Sequence, residues 1–222
     1  MSRILLLSPA DLQLSLDQDG EGTFDADTQV VHRRVAYASC PPIGAHDWAL
    51  ADLAVLAAGQ GAQDEGFDAV CLADFGDFGA NALRSVLDIP VVTAGRASML
   101  HALTLGSRFT VLATVRDRNR IGKLVHEYGL DHQCAGIIVM EQGQAMEPLL
   151  RQAEVLVMAP GTAGAAGETR VPTVDPLTLT VKLAESFLGL GLTHSRVAYP
   201  APQVSKADLL TALAGDGFAR GD

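Results

Sequence analysis

"GFDAVCLADFGDFGANALRSVLDIPVVTAGRASM", residues 66–99, reads as strand, turn, helix, strand, turn and helix. Ala69–Ala73 is a continuous apolar run, as a strand covered on both faces requires. It releases into a turn holding Asp74, Gly76, Asp77 and Gly79. Helical spacing follows at Ala80–Leu87, a short strand at Pro90–Val92 and a second helical stretch at Arg96–Leu105. Working outward, further strands are expected at Ile4–Ser8, Val30–Ala38, Phe109–Ala113, Gly136–Met140, Val155–Ala159 and Val171–Val174. Helices are expected near His46–Glu65, Asp117–Tyr128 and Leu177–Leu190. That order predicts an α/β fold with mainly parallel sheets. Residues 11–28 read as a polar loop beside the end of the first strand, and the tail from Lys206 carries one amphipathic helix candidate.

Of 222 residues, 48% are hydrophobic and 19% charged, enough to bury a core as one large domain or two intimate lobes. The net charge of −10, with no Lys/Arg cluster, argues against nucleic acid or an anionic membrane as partner. A small-molecule substrate is expected instead. Cys40, Cys71 and Cys134 are an odd number at scattered spacings, which suggests neither a disulfide framework nor a zinc site. The six histidines show no metal-ligand spacing, so no metal is expected. The opening apolar run is too short for a secretory leader and reads as a first strand, with a cytoplasmic location expected.

In α/β folds ligands gather where strands end and helices begin, because helix N-termini present free N–H groups and a positive dipole. The strand-end residues here are Ser8-Pro9, Asp74-Phe75-Gly76-Asp77, Thr93, Thr114 and Pro160-Gly161-Thr162. Ser8, Phe75, Gly76, Thr93, Thr114, Pro160 and Gly161 are the candidate substrate-binding residues, though helix capping alone accounts for any single one of them. Arg96, opening the helix after Thr93, is placed to pair with a substrate carboxylate. Asp77 is expected to cap the helix beginning near Phe78, and Asp74 to face the site.

The run 66–99, the later "GSRFTVLATV" (106–115) and the closing "VPTVDPLTLTVKLAESFLGLGLTHSRVAYPAP" (171–202) together resemble the hydantoin racemase branch of the aspartate/glutamate racemase superfamily. The resemblance implies two similar lobes with the active site in the cleft between them, and cofactor-independent proton transfer beside a carbonyl by two opposed cysteines. It also implies a division into residues 1–92 with 176–202, residues 93–175, and a tail at 203–222. A homo-oligomer is expected. The family's first cysteine stands directly before Phe-Gly-Asp, where this chain has Asp74. The second falls in "VLVMAPGTAG" (155–164), where this chain offers Pro160 and, as nearest hydroxyl, Thr162. Asp74 and Thr162 are therefore the candidate catalytic residues. Cys71, three residues up the strand and on its opposite face, cannot substitute. The expected substrate is hydantoin-like, an amino acid or a small carboxylate. Because one base alone tends to return the proton to the face it came from, lyase or hydrolase chemistry and a silent binding protein stand as alternatives.

Overall fold

A computed structural model describes residues 1–9, 24–35, 42–140, 153–160, 162, 170–204 and 206–210. Eight strands, β1 (Ser2–Pro9), β2 (Thr28–Val35), β3 (Ala69–Leu72), β4 (Val91–Thr93), β5 (Phe109–Ala113), β6 (Cys134–Val139), β7 (Leu156–Met158) and β8 (Thr173–Val174), form two four-stranded sheets. Their orders are β2-β1-β3-β4 and β6-β5-β7-β8, and every pairing is parallel. Among the described residues the helices that connect or cover them are α1 (Ala45–Gly59), α2 (Ala80–Val86), α3 (Ala94–Ala102), α4 (Arg118–Glu127) and α5 (Pro176–Leu190). The α/β architecture with two parallel sheets is as the apolar runs predict. Residues 207–210 of the expected tail helix are helical, and 211–222 lie outside the described residues.

Burial of strands on both faces explains why their sequences are nearly all apolar rather than alternating. One face of the first sheet, with Leu5, Leu7, Val70 and Leu72, packs on α1 and α2. The other, with Ile4, Leu6, Cys71 and Ala73, packs under Val181 and Ala184 of α5. The second core gathers Phe109, Val111 and Val157 with Met99 of α3 and Leu124 of α4. Helix α5 is delimited by signals legible in the sequence. Asp175 accepts the Thr178 N–H at 3.0 Å, Pro176 fills the first turn, and Gly191 ends the helix at φ 64°.

The boundary expected between residues 92 and 93 falls inside β4, whose last residue, Thr93, is also the N-cap of α3. Nor are the two cores separately owned. Phe75, from the turn after β3, is buried in the second core, and Leu179 of α5 packs there while Leu177 packs with the first sheet.

Candidate active site

The turn after β3 is held by its own aspartates. Asp74 Oδ1 accepts the Gly76 N–H at 2.6 Å, a side-chain-to-backbone turn that short carboxylates favour. The Gly76 carbonyl accepts from Arg120 Nε at 2.9 Å, and the Gly79 N–H goes to Asp52 of α1 at 2.7 Å. The backbone N–H groups of Gly76 and Gly79 are thus spent within the fold, which leaves Gly76, a candidate binding residue, no free amide to offer a ligand.

Asp77 corrects a second expectation. It sits at φ 52° and turns away from α2, accepting the N–H groups of Gly95 and Arg96 at 2.8 and 2.7 Å and the Tyr128 hydroxyl at 2.7 Å. It therefore caps α3, whose N-cap residue, Thr93, makes no side-chain cap of its own. Burial pushes the Asp77 carboxyl above its ordinary range, against the donors that pull it down. The same burial, with Asp77 beside it, holds the Tyr128 phenol protonated.

Asp74 lines a hollow of about 10 Å³, room for about one water, with Gly76 and Phe78 on one side and Arg116, Asp117 and Arg120 on the other. Loss of solvent pushes its carboxyl up to about 6. The Gly76 N–H opposes the rise, Asp117 adds to it, Arg116 opposes it and Asp77 adds a little. Asp117 is anchored by the Thr114 hydroxyl at 2.5 Å and by Arg116 Nε at 3.0 Å. Two carboxyls thus share one hollow in different settings, one tied to cations and hydroxyls, the other desolvated.

The remaining expected site residues are dispersed. Thr114 acts on the hollow only through Asp117. Phe75 is 2% exposed and belongs to the second core, so its ring fills space between the sheets. Ser8 is buried at the end of β1, bonded at 2.5 Å to His32 Nε2 on β2. Arg96 turns its side chain to Tyr199, at 3.1 Å, and is absent from the residues around Asp74. Thr162 is fully buried and donates to the Ala159 carbonyl at 2.7 Å, closing the turn after β7. Pro160 precedes it half-buried, and Gly161 lies outside the described residues. Cys71 is buried with its thiol toward the Thr180 carbonyl, burial pushing the thiol up, and Cys40 lies outside the described residues.

Sequence reading missed Arg116 and Arg120. The signal was available in "TVRDRNR" (114–120), which sets three arginines around the start of α4, where a helix's positive end disfavours them. Charge placed against a local preference is expected where function requires it.

The comparisons agree with this architecture. A model of the Asp/Glu/hydantoin racemase family matches residues 27–160. A hydantoin racemase of Rhizobium meliloti is 30% identical over 189 residues, covering 74% of this chain and 78% of its own. An allantoin racemase from Pseudomonas fluorescens superposes with a TM-score of 0.77 at 28% identity, over 92% of this chain and 98% of the other. One from Klebsiella pneumoniae gives 0.76 at 24% identity, with 92% and 95% covered, a likeness of fold. With the family match running from β2 through β7 across both sheets, the chain belongs to the Asp/Glu/hydantoin racemase family.

Proposed function

We propose that this protein removes the proton from the carbon beside a carbonyl in a small cyclic imide of the hydantoin type, without a cofactor, with Asp74 as the base. The observation that supports it most is the Asp74 carboxyl, pushed up to about 6 in a hollow whose other carboxyl is anchored. A base poised there is largely ionised near neutral pH yet holds a proton well enough to return it. With Oδ1 held by the Gly76 N–H, Oδ2 takes the proton from carbon. Because the hollow holds only about one water, the ring enters with the Arg116 and Arg120 side chains swung aside; the C–H electron pair then moves onto the carbonyl oxygen as an enolate, which those two cations at the start of α4 stabilise. Reprotonation by Asp74 reverses the flow. On this reading Asp74 stands in place of the family's first thiol and the Pro160–Thr162 stretch in place of the second.

The Thr162 hydroxyl, bonded to a carbonyl, is no second base. Exchange with solvent should therefore outrun inversion, unlike the balanced action of two opposed thiols. Enantiopure 5-methylhydantoin and allantoin in D₂O, followed by proton NMR and polarimetry, test this. The C5–H signal should fade faster than optical rotation, and both rates should drop roughly 10²–10⁴-fold in Asp74→Asn. Exchange and inversion at equal, thiol-sensitive rates would restore the two-thiol scheme. Ring-opened product without exchange would make the protein a hydrolase, and no reaction with either compound would leave a binding protein.

A further inference from the structure

Arg96, absent from the Asp74 hollow, lines a different cavity of about 600 Å³ between β4, α3, α5 and the segment 193–199. That volume is ordinary for a small-ligand site. Arg84, only 7% exposed, also lines it. The Arg84 Nε and Nη2 donate to the Val91 carbonyl at 3.3 and 3.2 Å, and Nη1 donates to Asn81 Oδ1 at 3.1 Å. Its remaining N–H groups face the Tyr199 hydroxyl and the cavity. Its guanidinium carbon lies 5.4 Å from the Tyr199 ring centroid. Arg96 Nη1 donates to the hydroxyl of that same ring at 3.1 Å, so two cations bracket one phenol. The Tyr199 hydroxyl is accordingly held below its ordinary value, despite burial.

Arg33, Arg116 and Arg196 have carboxylate partners in Glu65, Asp117 and Asp88. Among the described residues, neither Arg84 nor Arg96 is in an ion pair. Glu127 shares a neighbouring hollow with Arg96, but its partner is Lys123 at 3.7 Å. A buried cation beside a half-buried one, with no anion between them, is electrostatically costly, and a bound carboxylate would offset that cost. Across the cavity the wall is apolar, with Val92, Leu183 and Phe187.

We propose that this cavity binds a small monocarboxylate with an aryl or branched alkyl body. The two guanidiniums take the carboxylate, and Leu183 and Phe187 cover the body. The site is separate from the chemistry proposed at Asp74 and does not depend on it. Titration calorimetry with phenylacetate, and with phenylacetamide as its neutral counterpart, tests it. One equivalent of phenylacetate should bind to the wild-type protein and to Asp74→Asn alike, and the amide should bind at least tenfold more weakly. Arg96→Gln should weaken phenylacetate binding about 10- to 100-fold, the usual worth of charge-assisted hydrogen bonds. Because Arg84→Gln could disturb the fold, Leu183→Trp, which fills the cavity from its apolar side, is the second variant and should abolish binding. Binding lost in Asp74→Asn but kept in Arg96→Gln would move the ligand to the other hollow and overturn the proposal. So would equal affinity for the amide, no heat with either probe, or self-association that buries the cavity and excludes phenylacetate.

Discussion

Asp74 and Asp77 stand three residues apart and are used in opposite ways. Asp77 accepts from three donors and holds structure together, whereas Asp74 accepts from one backbone donor, its carboxyl pushed up to about 6. An acid whose folded value lies above its unfolded one binds its proton more tightly in the fold. Ionisation at Asp74 is therefore a burden that appears as pH rises from about 4 and is complete above about 6. Asn keeps the acceptor for the Gly76 N–H and carries no charge. Asp74→Asn should thus be more stable than wild type by about 1–2 kcal/mol at pH 7.5, the difference vanishing near pH 3.5. Paired thermal melts at the two pH values check this. Equal melting at both would mean that Asp74 is solvated and is no base.

Helix α3 links the first sheet to the second core, and its start is built by close approach. Gly95 gives Asp77 an amide N–H, and a Cβ added there would overlap the Phe75 carbonyl oxygen and approach the Asp77 carboxylate oxygens at 2.9 and 3.0 Å. Backbone oxygen cannot swing aside as a flexible side chain can. Gly95→Ala should therefore cost about 2–4 kcal/mol, despite alanine's better helix propensity, by forcing the cap apart. Urea denaturation measures it. A stabilised variant would show that the α3 start tolerates displacement and that Asp77 is not its anchor.

At the scale of the molecule, two sheets that look like separate lobes share material. The Phe75 ring leaves the first sheet's turn to enter the second core, and α3 and α5 contribute to both sides. The whole chain should then unfold in one calorimetric transition, with van't Hoff and calorimetric enthalpies equal. Phe75→Ala removes the ring that ties one to the other, at a cost of about 3–5 kcal/mol, and should split that transition in two. Two transitions in the unaltered protein would instead mean that the sheets fold independently.

The order of strands and helices was legible because it is written in local period and punctuation. Continuous apolar runs mark doubly covered strands, and Asp175, Pro176 and Gly191 bound α5 within its own sequence. Strand-end reasoning likewise placed Asp74 just past β3, since that position depends only on where the strand stops. What lay beyond sequence reading were pairings between distant positions. Asp77 meets Gly95 and Tyr128 across 18 and 51 residues, and Arg96 meets Tyr199 across 103. Those contacts spent the Gly95 and Arg96 amides and sent the Arg96 side chain to another cavity, while the bond from Arg120 Nε to the Gly76 carbonyl, 44 residues away, holds the start of α4 beside Asp74. Packing also raised the Asp74 carboxyl, because a carboxyl's proton affinity follows from the solvent and charges around it, and only the tertiary structure sets these.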